Sequence, residues 1–467
     1  MKYKYLIIMA LILSISILNS EIRYTGNTHE YLLEQAYELL KLDMGHEFPE
    51  MDDYLNFMKT GVINEDKWDW AYHYSESNPP DFNQFLLPEI IVEIGFLFTE
   101  GEEAFVTITH FWGADSGPNN NTLLSGNYPV NYSFNCENAL QKVDKFMTGS
   151  FTPDYHYSDN DFVEYDDIAT GLYIIKVYDL FDLYDTGLCR VFNSLGQSIG
   201  YFHLTEINRK ALFYEVIGRI CHLIMDMSVP AHAHQDQHAP KPNNSDGDQY
   251  EGSTEDGFGY MCDPDFWYWD GNNTYIHKGG LLDISNESDP LLHLMYLTNQ
   301  VADFFASDDV DGDSDLWYDA EVQNANTILN ALYLDLIQQG YTLDHPTRQE
   351  HEMTYNEAAQ IRDVVFPFAM RAVATFLEFI AQEINLTENW IQREVHGHVS
   401  LNNGSGDITA VEIKFSGPDI LYVNPDENGD FSYTFNGVQL GSYDISYKLY
   451  SDECDYCKSS KDIGHNL

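Results

Sequence analysis

Apolar residues recur at a helical repeat from the first folded segment onward. In THEYLLEQAYELLKL, residues Leu32, Leu33, Ala36, Leu39 and Leu40 share one side, Thr28 supplies an N-cap hydroxyl, and His29 takes the first helical position. The same repeat predicts helices over 48–60 (closing at Gly61), 86–98, 136–147, 161–183, 207–227, 291–305, 318–340 and 354–384. The last begins with a capping box from Thr354 to Glu357, turns Ile361, Val364, Val365, Phe368, Ala372 and Phe376 inward, and should kink at Pro367. Segment 104–112 (AFVTITHFW) fits a helix or a strand equally, 118–135 reads as a polar loop, and 241–286 has no period. A loop that long in a compact domain is usually functional or held by a ligand. Beyond residue 390 the period shortens to two, in HVSL, VEIKF, FSYTF and YDISYKL, with turn signals at Asn402-Asn403-Gly404, Gly417-Pro418 and Asn428-Gly429-Asp430. The pattern therefore predicts a mainly all-α multi-helix domain over 21–390. A small all-β sandwich module over 394–452 and a C-terminal tail over 453–467 follow.

Composition adds constraints. The 467 residues include 75 acids against 23 bases, a net charge of −52. That excludes a basic nucleic-acid-binding surface and charge-driven docking on anionic membranes. It favours solubility and local cation binding. Lys2 and Lys4 precede an apolar run from Tyr5 to Leu18 that is too short to span a bilayer, and Asn19-Ser20 offers a cleavage region. Residues 1–20 are thus expected to be a signal peptide, placing the protein outside the cytoplasm as a secreted, cell-surface or periplasmic protein. No later stretch reads as long and apolar enough for a transmembrane helix. Six cysteines leave pairing open, and at Cys454/Cys457 either a local disulfide or a chain end of no function is expected.

The densest chemistry lies in CHLIMDMSVPAHAHQDQH, Cys221 to His238. His222 and Asp226 are four apart on one helix face, Pro230 stops that helix, and His232, His234 and His238 follow in the turning chain. Imidazole and carboxylate together suit zinc. No nucleophile elbow, phosphate-binding glycine loop or Ser/His/Asp set is present.

Several ordered motifs make residues 28–255 resemble the zinc-dependent phospholipases C of bacteria, whose fold is shared with fungal single-strand nucleases. His29 opens the first helix, Gly61 to Asp66 gives a Gly-x-x-x-x-Asp turn, and His110 precedes aromatic residues in THFWG. His222, Asp226, Pro230 and His232 give the signature His-x-x-x-Asp-x-x-x-Pro-x-His, and Glu251 follows Tyr250. The resemblance implies two or three Zn2+ ions. Asp66, His110, His222 and Asp226 would hold one, His29 with bridging Asp226 a second, and His232, Glu251 and one more histidine a third. It also implies a catalytic role for Asp66 on the attacking water, and a phospholipid or other phosphodiester as substrate. Two positions depart from the family. No tryptophan stands near the expected mature N-terminus, and Gly247 occupies the position of a family histidine, for which His238 is the expected substitute ahead of His234 or Asp248.

Other features remain. Asp309, Asp311, Asp313 and Asp315 alternate around Gly312 in SDDVDGDSD, a candidate calcium loop for Ca2+. Trp112, Phe266 and Trp267 are candidate substrate-lining residues, able to stack bases or hold a choline-like group. The β module resembles carboxypeptidase-regulatory-like domains. A single-strand nuclease of the same fold and a non-catalytic metal-stabilised binding protein are the alternative readings.

Overall fold

A computed structural model describes residues 26–73, 106–120, 122–125, 132–163, 171–237, 250, 280–284, 287–351, 353–384, 386, 393–400, 408–416, 420–435, 442–449 and 463–466. The expected signal peptide, the 86–98 helix, His238, Glu251, Phe266, Trp267, Cys262, Cys454 and Cys457 lie outside the described residues. The chain divides into two compact units, 1–39 with 50–376 and 40–49 with 377–467.

The first unit is built around α5, Glu206–Asp226, whose residues from Leu212 to Asp226 are all buried. A helix buried on every side is a core helix, and its neighbours set its position. Helix α2, Pro49–Asn64, crosses it through two glycines. A Cβ on Gly61 would lie 1.9 Å from the Glu215 carbonyl, and one on Gly218 would lie 1.9 Å from the Met58 carbonyl. Backbones can approach this closely only without side chains at the crossing. Helix α1, Gly26–Met44, starts in this unit and buries Leu32, Leu33 and Ala36 completely. Helix α3, Ala139–Met147, has a complete capping box from Asn138 and Gln141 and packs against α5. After α5, Pro230 opens the short α6, Pro230–Ala233, which packs on α7, Pro290–Asp303. Helix α8, Gln323–Gln339, ends at Gly340 with φ 111°.

The described residues of the stretch expected to be one helix over 161–183 do not form a single helix. The stretch holds β3 (Phe162–Val163), β4 (Ile174–Lys176) and only then α4 (Leu180–Thr186), which Asp179 caps. With β5 (Leu188–Phe192) and β6 (Ser198–Leu204) these strands form an antiparallel sheet in the order β3-β6-β5-β4. The domain is therefore helical with an inserted small sheet and not all-α. The expected polar loop contains β1 (Thr122–Ser125) and β2 (Tyr132–Asn135). Strand β1 pairs in parallel with β7 (Asp236–Gln237), just past α6.

Helix α9, Tyr355–Glu383, keeps its expected capping box. The Glu357 carboxylate accepts from the Thr354 amide at 2.7 Å and from its hydroxyl at 2.6 Å. Contrary to the sequence expectation, α9 is long and apolar enough to cross a membrane. However, 78% of its most apolar window is buried within the protein, as in a core helix.

In the second unit, β8 (Arg393–His398) pairs with β11 (Asp430–Phe435). A second antiparallel sheet runs β10-β9-β12-β13, formed by Ile420–Val423, Val411–Ser416, Ser442–Leu449 and Ile463–Asn466. The expected tail thus ends in a strand, with Ile463 opposite Ile445. The described strands of this unit form two antiparallel sheets.

Candidate metal centre

Helix α5 delivers His222 and Asp226 from adjacent turns of one face, with His222 Nε2 3.1 Å from Asp226 Oδ2. The α2–α5 crossing then fixes the imidazole. Val62 lies in the last turn of α2, where helix carbonyls lack partners within the helix, and its carbonyl accepts from His222 Nδ1 at 2.7 Å. A proton on Nδ1 leaves the Nε2 lone pair directed at the two carboxylates, the usual outer support of a metal-ligating histidine.

Three other segments converge on this pair. The turn after α2 brings Asp66 Oδ1 to 3.3 Å from His222 Nε2. The 3-10 turn Thr107–His110 brings His110 Nδ1 to 2.8 Å from Asp226 Oδ2 and 3.6 Å from Asp66 Oδ1. From α1, His29 Nε2 lies 3.0 Å from the other Asp226 oxygen, Oδ1, and its ring stacks on His222 at 3.9 Å. His232 stands at the margin, its Nδ1 3.8 Å from Asp226 Oδ2. Its ring packs 4.3 Å from Phe111, and its carbonyl accepts from the Trp112 amide at 3.1 Å.

The spacings test whether these residues fit a metal. Two ligand atoms about 2.0 Å from one tetrahedral ion lie roughly 3.3 Å apart. Asp66 Oδ1, His110 Nδ1, His222 Nε2 and Asp226 Oδ2 show separations of 2.8, 3.1, 3.3 and 3.6 Å. Two groups of three converging ligand residues occur among the described residues, Asp66–His110–His222 and His29–His222–Asp226. Buried His222 Nε2 and Asp226 Oδ2 have no well-directed hydrogen bond, as expected of atoms shaped for an ion. The donor set fits zinc.

Electrostatics divide the histidines: His29 and His110 are held neutral, whereas His222, facing two carboxylates, would give up a proton to an ion. Burial opposes charge on His222, but Asp226 and Asp66 beside it hold its pKa well above the usual value. Burial would raise the Asp226 carboxyl; the facing His222 and His232 hold it well below the ordinary range. Burial and His222 push His29 down, and burial and Lys142 push His110 down. Neutral imidazole is the form a cation binds.

Beneath the site lies a layer that sequence reasoning missed. Glu65 is fully buried, with Oε1 2.5 Å from Lys142 Nζ and Oε2 2.8 Å from Arg219 Nη1. Lys142 also reaches His110 Nε2 at 3.4 Å. Arg219, one turn before His222, donates to the Trp68 carbonyl at 2.9 Å and the Asn64 carbonyl at 3.2 Å, with its guanidinium 3.6 Å from the Trp70 ring centre. These contacts clamp the turn carrying Asp66 and hold His110 from behind. The one available signal was the position of Glu65 next to Asp66 and of Arg219 three residues before His222.

Other expected site residues are elsewhere. His234, a considered substitute ligand, is turned away: its Nδ1 pairs with Asp303 Oδ1 at 3.0 Å and its Nε2 meets the Phe305 carbonyl at 2.7 Å. Asp303 raises its pKa to about 9 against the effect of burial. Trp112 does not line a cleft; it is completely buried, and its indole donates to the Gly117 carbonyl at 3.1 Å. The candidate calcium loop does not converge. Asp311 accepts from the Glu350 amide and Asp313 from the Asp315 amide, and none of its four aspartates joins a metal-capable group among the described residues. Cys136, Cys189 and Cys221 are free and buried, and burial pushes the thiols of Cys136 and Cys189 up to about 12. These are structural cysteines.

No protein-family model and no curated protein matches the chain. Among solved structures it is similar to Clostridium perfringens alpha-toxin from an avian strain, at 11% identity and a TM-score of 0.31, covering 91% of this chain and 87% of that one. At that distance the likeness assigns no residue a role, and the site rests on its own geometry.

Proposed function

We propose that this chain is an exported zinc-dependent phosphodiesterase of the phospholipase C type, acting on phospholipid. The observation that carries the reading is the convergence of two groups of three ligand residues that share His222, Asp66–His110–His222 and His29–His222–Asp226, with His110 also 2.8 Å from Asp226. Zinc there would lower the pKa of water toward about 7 and draw charge from phosphoryl oxygens. The protein residues divide the remaining work. Asp226 offers one oxygen to His29 and the other to His110 and His222. The Val62 carbonyl holds His222 in one tautomer. The Asp66 side chain, 12% exposed where those of His110, His222 and Asp226 are 1%, is the most exposed of the four, and we assign it to orient and deprotonate the attacking water. His232, with Glu251 and His238, is assigned to a further ion.

The test measures zinc per chain and then hydrolysis of a soluble phosphocholine ester, phosphatidylcholine vesicles and single-stranded DNA, before and after chelation. We expect stoichiometric zinc and chelator-sensitive cleavage of the phosphocholine substrates, abolished in His222→Ala. Absent zinc, or full activity in His222→Ala, overturns the reading. Cleavage of DNA alone reassigns the substrate.

A further inference from the structure

The inserted sheet has two unlike faces. Its inner face carries Phe162, Ile175, Cys189, Val191 and Leu204, all buried. Cross-strand partners place Lys176, Arg190 and Tyr201 in one row of the outer face and Ile174 with Phe192 in the next. An antiparallel sheet with one face in water normally turns polar residues outward. Here Tyr201 is 60% exposed, Val163 48% and Ile174 36%, with Tyr178 just beyond β4 at 39%.

Charge separates this face from the rest of the molecule. None of the residues of β3 to β6 is acidic, in a chain with 75 acids. The exposed rings are interleaved with cations. The Arg190 guanidinium lies 5.5 Å from the Phe192 ring and 5.9 Å from the Tyr201 ring, and Lys176 Nζ lies 5.6 Å from the Tyr178 ring. Of the carboxylates beside the strand ends, exposed Glu206 pairs with Lys210 at 3.2 Å, and Asp161 and Asp179 are held in local caps. Asp161 accepts from Ser158 and Asn208, and Asp179 accepts from the Asp182 amide. The face also adjoins the site's surroundings: Ile174 lines one cavity with Trp68, Asp69, Trp70, His73 and Tyr155, next to the turn that carries Asp66.

We infer that the outer face of this sheet docks on a zwitterionic phospholipid bilayer, its tyrosines and apolar side chains entering the headgroup layer while Lys176 and Arg190 meet lipid phosphates. Aromatic rings with interleaved Lys and Arg suit that layer, where rings sit at headgroup depth and long cations reach phosphate. A zwitterionic surface also avoids the repulsion that a −52 chain meets at an anionic one. The inference rests on the reading of phospholipid as substrate, and it would present the bilayer beside the Asp66 turn.

The experiment uses the full chain and the double variant Arg190→Ser/Tyr201→Ser. Sedimentation with sucrose-loaded phosphatidylcholine vesicles, after chelation, reads docking without catalysis. Turnover of a soluble phosphocholine ester by the zinc-loaded protein reads the site alone. We expect the double variant to lose at least tenfold in vesicle partitioning and in vesicle hydrolysis, with soluble turnover unchanged. Equal partitioning of variant and parent, or no partitioning by the parent, overturns the inference. So does sedimentation velocity showing a dimer that the variant dissolves, since the face would then be closed by a second copy. Face-dependent vesicle binding without headgroup release would overturn the phospholipase reading and leave the docking surface supported.

Discussion

Asp226 is the residue through which the site is assembled, because its two oxygens face histidines from different segments: His29 on one, His110 and His222 on the other. Its pairing with His222 was legible in the sequence, since a four-residue interval on a helix puts two side chains together whatever the tertiary fold. Glu65, Lys142 and Arg219 were not legible. Charged residues are ordinarily exposed, and only the folded chain shows these three fully buried against one another. They carry a prediction. Glu65→Gln leaves Lys142 and Arg219 buried without their carboxylate, so we expect a loss of about 3–5 kcal/mol in urea unfolding. Zinc affinity should fall roughly 10–100-fold by competition with a chelating dye, because the support behind His110 and Asp66 is weakened. Unchanged zinc affinity in a destabilised protein would reduce the layer to a packing role. A second prediction concerns Asp313, whose carboxyl burial and neighbouring Asp303 raise to about 6. A carboxyl raised on folding binds more protons folded than unfolded between about 3.9 and that value, so it costs stability as pH climbs through the window. Asp313→Asn keeps the acceptor used by the Asp315 amide and removes the charge. Its unfolding temperature should exceed that of the parent at pH 7.5 and converge with it near pH 4; a constant gap across that range would contradict the assignment.

Among the elements, the legible ones advertise themselves locally. Helix α9 has its own capping box, α3 is capped by Asn138, and α5 carries a long, largely apolar run from Ala211 that closes just short of Pro230. The region of the inserted sheet resisted reading for an equally local reason. Its strands are two to seven residues long, and its outer face carries Ile174, Phe192 and Tyr201 where polar residues would have marked a period of two. A short apolar run without alternation cannot be distinguished from helix by period alone. The α2–α5 crossing gives the test at this scale. Gly218→Ala would set a methyl group 1.9 Å from the Met58 carbonyl, in a backbone contact with no flexible side chain to yield. Overpacking of this kind costs about 1–3 kcal/mol. Because the same crossing brings the Val62 carbonyl to His222 Nδ1, we expect zinc affinity to fall along with the unfolding temperature. Gly340→Ala, in open space at φ 111° beyond α8, should cost stability through backbone strain while leaving zinc affinity intact.

For the whole molecule, two electrostatic problems of different range have to be separated. The net charge of −52 repels itself over the surface, and salt screens it within about 8–10 Å at ordinary ionic strength. The convergence of Asp66 and Asp226 is buried, and salt reaches it far less. An ion bound only in the folded state stabilises by an amount set by its concentration relative to its dissociation constant, about 2.7 kcal/mol at a hundredfold excess. In a chain this long that corresponds to roughly 3 °C in unfolding temperature. The two effects should therefore add. Raising sodium chloride from about 0.01 to 0.5 M should raise the unfolding temperature of the chelated protein by screening surface repulsion. Zinc should contribute its increment at both salt concentrations, because its ligands are the buried histidines and aspartates and not the exposed acids. In Asp226→Asn the salt response should persist and the zinc increment disappear. An increment that fades in high salt, or survives Asp226→Asn, would instead assign the stabilising zinc to the acidic surface and remove the buried cluster from the metal chemistry.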